Sequence, residues 1–277
     1  MKAGLGLAGA ALLALAACGE TTEDTGAAPG MDNASFKARQ ASTDDTRTVL
    51  AEELMMRGRS PTLNFSWHAP PELAAYPGLL DRLRSEAAAA EAEMRANARK
   101  HAQMLVENGE KARPLFYDQR WTVTLNSPTL LVLKSETDRY DGGAHGNRFY
   151  DSVFWSKAEN RELQLRDLFV NWPEARETLT ETYCTALAAE QAERRGEEPP
   201  ADRAEDAADT DDFWTCPPLA DQPVILDGRA NDMRALYLTV LLAPYEAGPY
   251  AEGSYTIDVP LDGETRALFK AEFVPAG

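Results

Sequence analysis

A glycine-rich stretch near the middle of the chain reads Tyr140-Asp141-Gly142-Gly143-Ala144-His145-Gly146-Asn147. Glycine tolerates positive φ angles and close backbone approach, so this composition predicts a loop of defined shape and not a solvated spacer. Strand-like runs flank the loop, since residues 121–134 are rich in Val, Thr and Leu and residues 148–157 alternate aromatic and polar side chains. The loop is therefore expected to join two strands and to present His145 at their end.

Two interpretations of this loop remain open from the sequence. A structural turn, in which His145 or Asn147 caps backbone groups, is the favoured interpretation. A ligand-contacting loop is the alternative, because loops carry binding residues more often than cores do. The candidate ligand-binding residues here are Tyr140, Asp141, Gly142, Gly143, His145 and Asn147.

The elements around the loop predict an α+β fold. Residues 116–126, 129–139 and 148–156 have short links, which favours an antiparallel meander sheet. A long N-terminal helix is expected to pack on this sheet, because apolar residues recur at helical spacing between Pro77 and Gly109. A second helix-and-sheet half is expected to follow, and its predicted elements are a helix over 173–194, strands over 224–226, 236–242 and 255–259, and a helix over 263–273.

The N-terminus predicts export and lipidation. Residues 1–17 contain a single Lys followed by a short apolar run, which is typical of a signal peptide. The sequence Leu15-Ala16-Ala17-Cys18 resembles a bacterial lipobox, so Cys18 is the expected lipidation site and a lipid anchor the only expected membrane contact. An ordinary cleavable signal peptide is the alternative. Gly19 in place of Asp favours the outer membrane of a Gram-negative bacterium, facing the periplasm.

Four ranges are predicted: a signal peptide (1–17), a disordered tether (18–59) and two halves of a folded part (60–160 and 161–277). The tether is rich in small and polar residues that bury little apolar surface. The formal net charge is −17, and loss of Lys2 with the signal peptide would leave −18. This acidity argues against nucleic acid as a partner and favours cationic partners, although solubility alone also explains it.

The cysteines predict one disulfide. If Cys18 carries lipid, Cys184 and Cys216 form an even pair in an oxidising compartment. A bond between them would close a loop of about 33 residues and contribute roughly 3 to 4 kcal/mol on the chain-entropy model; two free thiols are the alternative. An acidic insertion over 190–212 separates the cysteines and lacks the ligand spacing of a calcium loop.

No metal site or cofactor is predicted. The three histidines, His68, His101 and His145, share no metal-ligand spacing, and His101 is expected on the surface of the long helix. An enzyme is the less favoured class, because the best acid/base pair on offer is His145 with Asp141 or Glu246. A hydrolase or amidase acting on cell-wall material therefore stays as the alternative function.

A second irregular segment reads Pro244-Tyr245-Glu246-Ala247-Gly248-Pro249-Tyr250-Ala251-Glu252-Gly253. Proline and glycine predict a rigid turn that offers two tyrosine rings as amphipathic surfaces. Tyr245, Glu246 and Tyr250 are its candidate ligand-binding residues.

Three segments together resemble the signatures of the PdaC/RsiV-like domain family: the glycine loop, the run Leu165, Asp167, Leu168, Phe169, and the Pro244–Gly253 segment. The resemblance covers about Pro61 to Phe273. The family occurs as the noncatalytic N-terminal part of PdaC-type peptidoglycan deacetylases, as the extracellular part of RsiV-like anti-sigma factors that sense lysozyme, and as freestanding lipoproteins. This chain differs from the best-known members in having no deacetylase module, no transmembrane helix with an anti-sigma segment, and an added acidic insertion.

The resemblance implies a two-part α+β fold without agreed enzymatic activity. The expected function is therefore a freestanding, noncatalytic lipoprotein domain that binds a cell-envelope component. Candidate partners are peptidoglycan fragments and a lysozyme-like protein. Lysozyme-like proteins are often basic, which would suit the acidic chain. The oligomeric state is not predicted.

Overall fold

The computed structural model describes residues 54–198, 215–228 and 234–274. Within these ranges the strands are β1 (Met55–Arg59), β2 (Leu63–His68), β3 (Leu115–Asn126), β4 (Leu130–Tyr140), β5 (Asn147–Ser156), β6 (Arg161–Leu163), β7 (Val224–Asp227), β8 (Tyr237–Leu242) and β9 (Tyr255–Pro260). The α-helices of the same ranges are α1 (Pro77–Glu107), α2 (Trp172–Arg195) and α3 (Gly263–Ala267).

The first sheet contains β1 to β6 in sequence order. The predicted antiparallel meander is confirmed for β3, β4 and β5. Strands β2 and β3, whose pairing the sequence did not predict, pair in parallel, because α1 connects them and a long crossover permits parallel pairing. Strand β1 lies within the range 18–59 predicted as a tether, so the folded part begins before Ser60.

Helix α1 covers one face of this sheet. It begins at Pro77, where a missing backbone N–H costs nothing at a helix start. Its buried side chains follow the helical repeat, as in Leu79, Leu83 and Ala87, and pack in one cluster with Trp67 and Trp121 of the sheet.

The second sheet, in the order β7, β8, β9, packs with α2 against the other face of the first sheet. Val132 and Phe154 of the first sheet share a buried cluster with Leu179 of α2 and Leu238 of β8. Strand β6 falls in the range 161–277 and nevertheless pairs with β5. The two predicted halves are therefore joined by a common core, which sets the β4–β5 loop at a defined place relative to β8.

Two predicted boundaries shift in the structure. Helix α2 continues to Arg195, so the acidic insertion predicted from residue 190 begins as helix, while residues 199–214 lie outside the described ranges. The C-terminal helix predicted over 263–273 ends at Ala267. Beyond it Phe269 forms a β-bridge with Phe169, a pairing that competes with helix continuation.

Candidate functional site

The glycine loop is the connection between β4 and β5, as the sequence predicts. Arg139 and Asn147 form the last residue pair of the hairpin. Tyr140 closes the loop locally, because its hydroxyl donates a hydrogen bond to the Gly143 carbonyl at 3.1 Å. The ring of Tyr140 also stacks on Phe116 of β3, with 6.0 Å between ring centroids.

Helix α1 packs against the loop through His101 and Glu93. Gly142 has a φ of +94°, and a Cβ atom at this position would overlap the imidazole of His101. Position 142 therefore requires glycine, both for its positive φ angle and for the close approach of the His101 imidazole. Arg139 adds a polar link, because its guanidinium bonds both Asp141, at 2.7 and 2.8 Å, and Glu93 of α1, at 3.2 Å.

The Pro244–Gly253 segment is held by the C-terminal turns of α2. Arg195 donates two hydrogen bonds to the Glu252 carboxylate, at 2.8 and 3.0 Å. Gln191 is fully buried and donates to the Ala247 carbonyl at 2.7 Å. Arg194 donates to the carbonyls of Glu252 and Ser254 and places its guanidinium 3.9 Å from the ring centroid of Tyr255.

The charges under this segment are mutually satisfied. The hydrogen bond from Arg195 lowers the pKa of Glu252, although burial opposes this shift. Burial, followed by the hydrogen bond to Glu252, raises the pKa of Tyr255 to about 12, so its hydroxyl stays protonated and donates to that carboxylate. Gly248 lies against the same carboxylate, where a side chain would overlap it.

The two loops meet in space. The ring of Tyr250 stacks on the imidazole of His145 at a centroid distance of 3.7 Å, and its hydroxyl donates to the Gly146 carbonyl at 2.7 Å. The ring centroid of Tyr245 lies 6.2 Å from that of His145 and 5.6 Å from that of Tyr250. We call His145, Tyr245 and Tyr250 the aromatic site.

The hydrogen bonds of His145 define its neutral tautomer. Nδ1 lies 3.0 Å from the Gly146 carbonyl oxygen, which only accepts, so Nδ1 carries the hydrogen. Nε2 is then the acceptor for the Tyr245 hydroxyl at 3.2 Å. Tyr245 reaches this position from a left-handed backbone conformation with a φ of 78°, which is uncommon for residues other than glycine.

The described side-chain contacts do not connect Asp141, Asn147 or Glu246 to the aromatic site. The Asp141 carboxylate binds Arg139. Asn147 begins β5 and is half-buried, with its Oδ1 lacking a hydrogen-bond partner among the described residues. Glu246 lines a small cavity of about 130 Å³ beside Phe149 and Tyr150 of β5. Among the described contacts, neither Asp141 nor Glu246 hydrogen-bonds His145.

Sequence reasoning missed the residues that support the loops. His101, predicted as a surface residue, is half-buried against Gly142. Gln191, Arg194 and Arg195 were assigned to an acidic insertion and instead hold the Pro244–Gly253 segment. Two adjacent arginines in the last turn of a helix are a usable signal, because cations are favoured near a helix C-terminus.

The disulfide prediction is confirmed. Cys184 of α2 bonds Cys216, with Cα atoms 5.5 Å apart and a sequence separation of 32. The bond joins α2 to the segment that leads into β7. Cys18, the predicted lipidation site, lies outside the described residues.

Two further features are absent from the described ranges. No group of three or more His, Cys, Asp or Glu side chains there is arranged to hold a metal ion. No helix in the same ranges is both long and apolar enough to cross a membrane.

Comparison with known proteins finds similarity to solved structures, among them two DUF3298 family proteins. No protein-family model matches the chain, and no curated protein matches it significantly. A DUF3298 family protein from Pseudomonas aeruginosa PAO1 is similar over 80% of this chain and 96% of its own, with 14% sequence identity and a TM-score of 0.45. A DUF3298 member from Bacteroides fragilis NCTC 9343 is similar over 72% of this chain and 80% of its own, with 18% identity and a TM-score of 0.44. DUF3298 is the PdaC/RsiV-like domain family.

Proposed function

We propose that this chain is a noncatalytic lipoprotein domain of the PdaC/RsiV-like type that binds a cell-envelope component through the aromatic site. The observation that carries the proposal is the stacking of Tyr250 on His145, since it joins two loops far apart in sequence into one exposed surface. Tyr245 and Tyr250 are 51% and 37% exposed, respectively.

Contacts within the chain hold the aromatic site in one arrangement. Its rings are fixed by the hydrogen bond from Tyr250 to Gly146 and by the one between Tyr245 and His145. Helix α1 contacts the glycine loop, and α2 holds the Pro244–Gly253 segment. A preorganised surface loses little conformational entropy on binding. The left-handed Tyr245 supports the same proposal, because strained backbone conformations cluster at ligand-binding positions.

The first candidate ligand is a peptidoglycan fragment. Tyrosine rings offer flat apolar surfaces with polar tips, which suit a saccharide whose C–H faces are apolar and whose hydroxyl groups need hydrogen-bond partners. A lysozyme-like protein is the second candidate. The mature charge of −18 would accelerate its association with such a basic partner in a salt-dependent way.

We place the protein on the outer membrane of a Gram-negative bacterium, facing the periplasm and anchored through Cys18. The sequence from Leu15 to Cys18 and the Gly19 that follows it support this location. Multiple acyl chains would supply the stable anchoring that a single chain lacks.

Calorimetric titration of residues 19–277 against purified muropeptides and against a lysozyme tests the proposal. We expect binding to at least one of them, and its loss in the double variant His145→Ala, Tyr250→Ala. Met104→Ala is the matched control, because Met104 is an exposed α1 residue, 48% exposed, outside the aromatic site. Binding that survives the double variant would remove the aromatic site from the proposal.

The alternative, a hydrolase or amidase, is separable in the same samples. His145 uses both ring nitrogens in hydrogen bonds to Gly146 and Tyr245 and has no carboxylate partner among the described residues. Release of products from muropeptides by the purified protein, abolished by His145→Ala, would favour the hydrolase over the binding domain.

A further inference from the structure

The outer edge of β5 is only partly paired. Strand β6 pairs with β5 at Phe154, Trp155 and Ser156. Within the described ranges no strand pairs with the outer edge of β5 from Asn147 to Val153. An open strand edge carries backbone N–H and C=O groups that can accept another strand.

The register shows which backbone groups face this edge. The Lys157 N–H bonds the Thr129 carbonyl, so the odd-numbered residues of β5 exchange hydrogen bonds with β4. The even-numbered residues Arg148, Tyr150 and Ser152 therefore direct their backbone groups outward. At Ser152 the outward N–H is bonded to the neighbouring Asp151 carboxylate at 2.8 Å, which gives it a local partner.

A groove runs along this edge. Its larger part has a volume of about 400 Å³ between Ser152 and Phe154 of β5 and the segment around Gln222. Its smaller part has a volume of about 130 Å³, is lined by Phe149 and Tyr150, and shares Gln222 with the larger part. The two parts form one path beside the unpaired length of β5.

The groove is acidic. Glu162, Asp221 and Glu246 line it, and its described lining contains no Lys, Arg or His. Glu162 is paired with Arg82 of α1 at 2.8 Å. Asp221 and Glu246 form no ion pair within the described ranges, so their charge is available to a bound group.

We propose that the open edge of β5 binds an extended peptide segment carrying alternating basic and apolar residues, by adding it as a further strand of the first sheet. Backbone hydrogen bonds to Arg148, to Tyr150 and to the Ser152 carbonyl would supply sequence-independent affinity. Alternate side chains of an extended strand point to opposite faces, so the basic set would enter the groove and meet its carboxylates while the apolar set would face the other side of the sheet, where Phe149 is 45% exposed. This surface is separate from the aromatic site.

The test uses fluorescence anisotropy of a labelled Lys-Val-Lys-Val-Lys-Val peptide with residues 19–277 of the protein. We expect saturable binding that weakens as salt is raised, and at least tenfold weaker binding of the matched peptide with Glu in place of Lys. Asp221→Asn is expected to weaken the Lys peptide several-fold. In the unchanged protein, bound peptide is expected to slow hydrogen exchange of the Arg148 and Tyr150 amides.

Ser152→Pro tests the strand addition itself. Its N–H faces outward, so proline removes no bond of the β4–β5 ladder but blocks an added strand. We expect it to abolish peptide binding and to leave muropeptide or lysozyme binding unchanged, which separates this inference from the proposed function. The inference would be overturned by equal binding of the Lys and Glu peptides, by full binding to Ser152→Pro, or by unchanged amide exchange. It would also be overturned if sedimentation showed a dimer that Ser152→Pro abolishes, because a second copy of the chain would then occupy the edge.

Discussion

Tyr250 stacks on His145 with 3.7 Å between ring centroids, although one residue lies in the β8–β9 connection and the other in the β4–β5 loop. The contact couples the first sheet to the second at an exposed surface. Its strength therefore depends on the support of both loops, and this dependence can be measured.

The pairing of the two rings is the first prediction. Double-mutant cycle analysis of His145→Ala and Tyr250→Ala by urea unfolding is expected to give a coupling energy of about 0.5 to 1.5 kcal/mol, the usual range for stacked aromatic pairs. Tyr250→Phe keeps the stacking and loses the bond to Gly146, so it should cost about 0.5 to 1 kcal/mol. Strictly additive effects of the two alanine changes would contradict the contact.

The second prediction concerns the ion pair between Arg195 and Glu252, which holds the Pro244–Gly253 segment on α2. Arg195→Met leaves the Glu252 carboxylate, with 16% side-chain exposure, without its bidentate partner. The free energy of unfolding should fall by about 3 kcal/mol, because removing half of a largely buried ion pair is costly. Adding Glu252→Gln should restore part of the loss. No recovery in the double variant would show that the ion pair is not the cause.

The pH dependence of stability is the third prediction. Arg195 lowers the pKa of Glu252 below its ordinary value of 4.5, so the folded state binds fewer protons at this carboxyl than the unfolded state does. The resulting stabilisation is complete above pH 4.5 and is lost as the pH falls through the lower pKa of the folded state. Glu252→Gln should flatten this part of the curve of unfolding free energy against pH. An identical acid dependence in both proteins would assign it to other carboxyls.

The close approach of His101 to Gly142 is the fourth prediction. Gly142→Ala introduces both a clash with the imidazole and a strained left-handed alanine, at a cost of about 1 to 3 kcal/mol. Gly143→Ala is the matched control, because a Cβ atom added at this position would have no atom of the surrounding structure within 4 Å. Thermal unfolding of Gly142→Ala in a His101→Ala background should recover the part of the loss due to the clash. Equal losses at both glycines would contradict this arrangement.

The disulfide is the fifth prediction. Replacing Cys184 and Cys216 together with alanine should lower the free energy of unfolding by roughly 3 to 4 kcal/mol, because the unfolded chain regains the freedom of the closed loop. Thiol titration of the unfolded, unreduced protein should detect neither of the two sulfurs. Detection of both would contradict the bond.

The sequence by itself determined the local structure. Proline at helix starts, apolar residues at helical spacing and a glycine loop between strand-like runs predicted much of α1, α2 and the β4–β5 hairpin, because these signals act over a few neighbouring residues. The pairing of Cys184 with Cys216 was predictable from the even number of cysteines that would remain if Cys18 carried lipid. The same local reasoning placed Arg194 at the end of a helix and both Arg194 and Arg195 in the acidic insertion, but it did not find their partners, which lie far away along the chain.

Only the tertiary structure decided which distant segments meet. The parallel pairing of β2 and β3, the support of Gly142 by His101 and the stacking of Tyr250 on His145 all arise from packing both faces of the first sheet. The free energy of such contacts comes from burying surfaces that are separated in sequence, so no local pattern records it. Each loop was predictable from its sequence motif. The contact between the two loops depends on the common core that joins the two sheets.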